Sequence, residues 1–230
     1  LLCKVELKNS HPEDEHHSHR QHHEHTHAHE HSHTTHSHRT YSEIKANIQG
    51  STLKTKVKDD AIACFQALAE AEAAVHGIPI ESVHFHEVGA IDSIIDIVGA
   101  AICWDLLKID RIFCTHLEVG GGTVQCAHGT MPVPAPATAR LLKGIPYSFG
   151  ATNKETTTPT GATLLVGKKC VFHPKQSGTL IESAIAIGER EDPNLANALF
   201  VSLVEEAVLE SDSVLELVTN IDDMSAEAIS

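Results

Sequence analysis

Val83-His84-Phe85-His86-Glu87-Val88-Gly89-Ala90-Ile91-Asp92-Ser93-Ile94-Ile95-Asp96-Ile97-Val98-Gly99 is the stretch in which the chain changes its period. Its first residues alternate, and a period of two turns Val83 and Phe85 toward a core while His84 and His86 share the opposite face. Residues 89–107 are long, apolar and free of proline, which predicts a helix buried on nearly all sides. Within it Asp92, Asp96, Gly99 and Cys103 recur at steps of four, three and four, so they line one stripe. An extended segment running straight into a helix predicts an α+β (or α/β) domain.

The same logic extends outward. Residues 59–76 place Ile62, Phe65, Ala69, Glu72 and Val75 at helical steps, with Asp59 or Asp60 as N-cap and Gly77 as terminator. Residues 109–119 and 123–126 read as strands, 131–136 as a proline-spaced extended connector, 137–143 as a helix and 147–149 as a strand edge. Thr158-Pro159 opens a helix over 159–166, and 180–187 and 214–221 read as strands.

Composition removes several classes of function. The 230 residues carry 17 Lys and Arg against 31 Asp and Glu, a net charge of -14, so most of the surface repels nucleic-acid phosphates and anionic lipids. No window has the ~20 apolar residues of a membrane helix, and no signal-peptide pattern opens the chain. No nucleic acid and no membrane are expected as partners, and the cytoplasm is the expected compartment. The 6 cysteines stand singly without a C-x-x-C pair, which suits reduced and mostly packed thiols.

Residues 11–38 hold 13 of the 19 histidines. With almost no apolar side chains the tract cannot offset its ordering entropy and is expected to be disordered when metal-free. Closely spaced neutral imidazoles bind divalent nickel, copper or zinc, so His16, His17, His19, His22, His23, His25, His27, His29, His31, His33, His36 and His38 are expected to buffer metal. A tract of this kind says which element is handled, not which reaction.

The sharper chemistry sits elsewhere. His84 and His86 are candidate metal ligands, although a lone H-x-H is common and alone reads as structural. Two carboxylates on a buried helix are costly unless paired, capped or bound to a cation, so Asp92 and Asp96, with Glu87, are candidate catalytic groups. Cys126-Ala127-His128-Gly129 offers a thiol and an imidazole as further metal ligands, although such a pair is more often structural. Thr158, Thr160 and Gly161, at a helix N-terminus, are candidate phosphate contacts, with a plain capped helix equally compatible. Gly120-Gly121-Gly122 lacks the following Gly-Lys-Ser/Thr of a phosphate-binding loop.

Three motifs in order closely resemble the LarC family of pyridinium-3,5-bisthiocarboxylic acid mononucleotide nickel insertion proteins: residues 84–99, Cys126-Ala127-His128-Gly129-Thr130-Met131-Pro132-Val133-Pro134-Ala135-Pro136-Ala137-Thr138, and Thr158-Pro159-Thr160-Gly161-Ala162. The resemblance runs from about Tyr41 to the end. It implies a nickel cyclometallase of the lyase class that loads nickel into the dithiocarboxylated mononucleotide, with CTP and a divalent cation (Mg or Mn) as cofactors. The product serves lactate racemase and related enzymes, so the mononucleotide and the receiving racemase are the expected partners, and a homo-oligomer is the expected state.

Three departures accompany it. The family's Ser-Gly-Ile-Ser-Gly-Asp-Met type segment and most of its CTP-binding C-terminal domain are not in the sequence, and its Gly-Tyr-Gly-Ala-Gly segment is replaced by Ile185-Ala186-Ile187-Gly188-Glu189-Arg190-Glu191-Asp192. The expected organisation is a remnant over 1–10, the His tract over 11–40, a core domain over 41–211 and the start of a further domain over 212–230. Two competing classes are a non-catalytic nickel store or metallochaperone, for which the tract alone suffices, and a metal-dependent hydrolase built on His84, His86, Asp92 and Asp96.

Overall fold

The computed structural model describes residues 39–85, 91–126, 128–172, 178–188, 192–193 and 195–206. The fold is α+β and divides into two compact units, one reaching residue 174 and including 189–197, the other made of 175–188 and the chain from 198 onward. The His tract and the expected strand over 214–221 lie outside the described residues.

The first unit is organised around one helix. Strand β1 (Arg39–Thr40) leads directly into α1 (Tyr41–Gly50), whose start is a reciprocal cap. The Glu43 N–H donates to Thr40 Oγ1 at 3.1 Å, and the Thr40 N–H donates to Glu43 Oε2 at 2.8 Å. Tyr41, Ile44 and Ile48 bury one face.

Helix α2 (Thr55–His76) begins four positions before the expected start, and Lys54, not Asp59 or Asp60, is its N-cap, without a side-chain bond. Asp60 lies inside the helix and pairs with Lys168 Nζ at 2.8 Å. Gly77 ends the helix as expected, at φ 66°. The buried stripe is Val57, Ala61, Cys64, Phe65, Leu68, Ala69 and Ala71, whereas Val75 of the expected stripe is exposed.

After a short 3-10 turn (Ile80–Ser82), β2 (His84–Phe85) pairs antiparallel with β1, Arg39 facing Phe85 and Thr40 facing His84. Phe85 packs against Phe65 with ring centres 6.2 Å apart. Helix α3 (Ile91–Leu106) lies against α2, but its burial corrects the expectation. Only Ile97 and Ala101 are buried, while Asp92, Ile95, Asp96 and Cys103 face outward and Leu106 is 70% exposed.

The remaining elements frame the other side. Strand β3 (Phe113–Cys114) is the expected strand over 109–119 reduced to two residues, and β4 (Thr123–Cys126) forms a hairpin with β5 (Gly129–Pro132). Helix α4 (Pro136–Leu141) precedes α5 (Pro159–Gly167), and both pack on α2. Strand β6 (Val171–Phe172) then returns to pair parallel with β3. A Cβ on Gly167 would lie 2.5 Å from Cys64 Cα, so α5 and α2 touch backbone to backbone.

The second unit is a hairpin of β7 (Gly178–Ile187) and β8 (Ala198–Glu206), antiparallel with a register irregularity between Leu180 and Glu182. Strand β8 was not among the expected elements, although Leu199, Val201 and Leu203 alternate.

Candidate metal and substrate site

The alternation at residues 83–85 is realised. Val83 and Phe85 are each 1% exposed and His84 faces solvent. His84 lies close enough to Glu43 to help hold that carboxyl below its ordinary range, after the larger effects of the Thr40 N–H and hydroxyl. His86 and Glu87 lie outside the described residues.

Asp92 sits in the first turn of α3, where its Oδ1 accepts from the Ser93 N–H at 2.8 Å. Asp96 follows one turn later on the same exposed stripe. Partial burial, and then the neighbouring Asp92 carboxylate, push the Asp96 carboxyl above its ordinary range. Two like charges on one stripe of an apolar helix favour a proton or a cation between them. Among the described residues no three His, Cys, Asp or Glu side chains form a complete metal site, so His84, Asp92 and Asp96 do not close one by themselves.

Cys126 and His128 occupy the turn of the β4–β5 hairpin but point to different partners. The Cys126 thiol donates to the Gly129 carbonyl at 3.2 Å, while the His128 ring lies 5.2 Å from the ring of His76 at the end of α2. Gly129, at φ 95°, provides the turn.

The α5 terminus has the expected form. Thr158 is the N-cap, Pro159 occupies the first turn, and the Gly161 N–H donates to Thr158 Oγ1 at 3.2 Å. That bond uses the Gly161 N–H, and Thr160 in the same turn is half-buried. Around it, the Thr156 and Thr157 hydroxyls both donate to the Glu118 carbonyl, at 2.5 and 2.7 Å.

Sequence reasoning missed the polar junction on which this loop rests. Ser148 Oγ donates to Glu118 Oε2 at 2.5 Å and lies 3.0 Å from His116 Nε2. Glu118 Oε1 accepts from the Gly120 N–H at 3.0 Å and the Ala151 N–H at 3.3 Å. Partial burial opposes ionisation, but the Ser148, Gly120 and Ala151 donors outweigh it and hold the carboxyl below its ordinary range. The His116-x-Glu118 alternation in an extended segment was the available signal.

The neighbouring triglycine has a steric reason. A Cβ on Gly120 would fall 1.8 Å from the Lys154 carbonyl oxygen and one on Gly122 2.6 Å from that of Asn153, with both glycines at positive φ. These glycines let two backbones lie together and do not cradle a phosphate. A cavity of about 280 Å³ between α1 and α3 is walled by Ile44, Ile48, Ile91, Ile94 and Val98 with Arg39 as its charge, and none of the described candidate groups line it.

Burial raises the packed thiols. Burial, and then Asp60, push Cys64 up to about 12, and burial followed by Cys114 pushes Cys170 up to about 11. Cys103 is exposed. No described helix is long and apolar enough to cross a membrane.

The profile of the family described as "Nickel insertion protein" matches residues 2–230. The chain belongs to the nickel insertion protein family. Relatives within it include the pyridinium-3,5-bisthiocarboxylic acid mononucleotide nickel insertion protein of Clostridium acetobutylicum, 50% identical over 80% of this chain and 44% of the relative. A putative nickel insertion protein of a Geobacter species is 50% identical over 83% of this chain and 50% of its own length. The Akkermansia muciniphila nickel insertion protein is 47% identical over 84% of this chain and 48% of its own length. The nickel insertion chain described here therefore spans about half the length of these relatives. No solved structure matches it.

Proposed function

We propose that the protein containing this chain is the nickel chelatase, of the lyase class, that inserts nickel into pyridinium-3,5-bisthiocarboxylic acid mononucleotide in a CTP-dependent reaction, forming the nickel-pincer cofactor of lactate racemase and related enzymes. The observation that carries the reading is 50% identity, over 80% of this chain, with a relative named for that insertion. Nickel is cargo here. The histidines of 11–38 gather it, His128 and Cys126 stand on its route, and His84 with His86 presents it beside Asp92, Asp96 and Glu87.

Cyclometallation replaces a proton on the pyridinium ring with nickel, so a base is needed. A carboxyl held above its ordinary range, as Asp96 is, suits a group that must accept a proton near neutral pH. The first turn of α5, where Thr158, Thr160 and Gly161 lie, offers the Thr160 amide and hydroxyl to the phosphate of the mononucleotide, the Gly161 N–H being held by the Thr158 cap. The triglycine offers CTP no phosphate-binding loop, since it is closed by backbone and no lysine follows it. CTP and its Mg or Mn are assigned outside the described residues. Thiols held protonated by burial are compatible with a cytoplasmic setting. A homo-oligomer and the receiving racemase complete the proposed set of partners.

The test is to incubate the full-length protein with nickel, the mononucleotide and CTP, and to follow the mass of the nickel adduct. Formation of the adduct is expected. Nickel retained on the protein with no adduct would favour the storage reading, to which the His tract otherwise points. Thr160→Val should weaken mononucleotide binding by about tenfold, the worth of one hydrogen bond to a charged group, and leave nickel uptake unchanged. An unchanged dissociation constant would remove the α5 terminus from the site.

A further inference from the structure

Strand β1 delivers a charged side chain to an apolar wall. Arg39 faces Phe85 across the ribbon, and directly opposed residues of an antiparallel pair share a face. Arg39 therefore starts from the face that buries Phe85, while Thr40 and His84 take the other. Half-buried, its side chain lines the cavity of about 280 Å³ between α1 and α3. Ile44 and Ile48 of α1, with Ile91, Ile94, Ile95 and Val98 of α3, supply most of the wall. Among the described lining residues Arg39 alone is charged, and the Ser51 hydroxyl is spent on the Ile48 carbonyl at 2.7 Å.

Three features of this cavity define a ligand. Its walls are branched aliphatic side chains, which suit the flat face of a ring. Its volume lies at the small end of ligand pockets, roughly 300–1,000 Å³, so one substituted ring fits and a whole nucleotide does not. Its charge is a guanidinium, whose planar fork matches a carboxylate or thiocarboxylate through two parallel hydrogen bonds. The Thr40 N–H is the largest influence holding the Glu43 carboxyl below its ordinary range and Arg39 the smallest, so Glu43 does not occupy that fork.

The cavity also adjoins the proposed reaction centre. Asp92 and Asp96 each follow a lining residue, Ile91 and Ile95, by one position, a rotation of about 100° around α3. A ligand seated against those isoleucines has the two carboxylates as the next side chains around the helix, and His84 stands on the strand that pairs with that of Arg39. We propose that this cavity seats the pyridinium ring of the mononucleotide, with the ring face on the isoleucines, one of its two acid groups on Arg39 and the ring edge turned toward Asp92 and Asp96. Arg39 is then a positioning and specificity-determining residue, which selects a ring bearing an anionic substituent over one without. The identity of the ring rests on the proposed insertion function, whereas the seat for a planar heteroaromatic acid rests on the cavity and its arginine.

The test titrates pyridine-3,5-dicarboxylate into the full-length protein labelled with ¹³C at its isoleucine methyls, without nickel or CTP. A ring seated in the cavity shifts the methyl signals of Ile44 and Ile94 by its ring current, and both should follow one dissociation constant. Arg39→Gln should raise that constant by about tenfold or more, the worth of hydrogen bonds to a charged group, and Arg39→Lys should recover only part of the loss. Pyridine-3,5-dicarboxamide, of the same shape without the charge, should bind at least about tenfold more weakly. Val98→Phe fills the cavity, leaves Arg39 in place and should abolish the shifts, with the methyl spectrum of each variant before titration showing that it is folded. Absence of saturable shifts in the wild type would overturn the seat, as would equal affinity for acid and amide or a constant that Arg39→Gln leaves unchanged. Failure of nickel insertion itself would appear in the adduct assay and would leave these titrations as they are, so the two ideas fail separately.

Discussion

At Glu118 one carboxylate gathers the Ser148 hydroxyl and the Gly120 and Ala151 N–H groups, while the carbonyl of the same residue takes the hydroxyls of Thr156 and Thr157. The loop that precedes α5 is therefore tied at several points to one residue, beside its backbone bonds to Val119 and Gly121. Because these donors hold the folded-state carboxyl below 4.5, its ordinary value, ionised Glu118 contributes stability above that pH and loses it as pH falls through the folded-state value. Glu118→Gln should melt below the wild type at neutral pH, and the gap should narrow as pH drops well under 4.5. A gap independent of pH would mean that the charge is not what these donors recognise. The residue was not singled out: a strand over 109–119 was expected, but its His116-x-Glu118 spacing went unread, and Ser148 is 30 positions away with no local pattern to announce it. The same holds for His76 and His128, which sequence spacing does not connect.

Elements were legible where a local rule decided them. Thr158-Pro159 fixed the start of α5 and Gly77 the end of α2, because caps depend on a few adjacent residues. The helix α1 went unread, though Thr40 and Glu43 are spaced as a capping box, since its apolar face is only Tyr41, Ile44 and Ile48. The apolar composition of α3 suggested burial all round, but composition does not say which faces find a partner, and one stripe carrying Asp92, Asp96 and Cys103 faces outward. The β3–β6 pair joins positions near 113 and 171, a long-range parallel pairing that no local rule reveals. Gly167 on α5 lies directly against the Cys64 backbone of α2. Gly167→Ala should therefore push the helices apart at a cost of about 1–3 kcal/mol, seen as a thermal midpoint lower by several degrees. A midpoint equal to or above that of the wild type would show that the interface has room the present packing lacks.

Across the whole molecule, the first unit is built on α2 and carries every described candidate residue, while the β7–β8 hairpin carries none of them. The three motifs that resemble the family begin at β2, at the β4–β5 hairpin and at the α5 cap, so what the sequence keeps together in order the fold distributes around one central helix. Two of the proposed steps, metal presentation and phosphate holding, thus begin from separate elements that pack on the same α2. The central claim is that the outward stripe of α3, with His84, is where nickel enters the mononucleotide. The direct measurement is nickel adduct formed by the full-length protein and by its Asp96→Asn variant, each with a thermal melt. Asn keeps the size of Asp and removes the charge and the base, so adduct formation should fall by about a hundredfold or more, the usual worth of a general base, while the exposed position leaves the melting temperature within a degree or two. Near-normal adduct from Asp96→Asn would contradict the claim, and a collapsed melting temperature would contradict it in another way, by making Asp96 a structural residue.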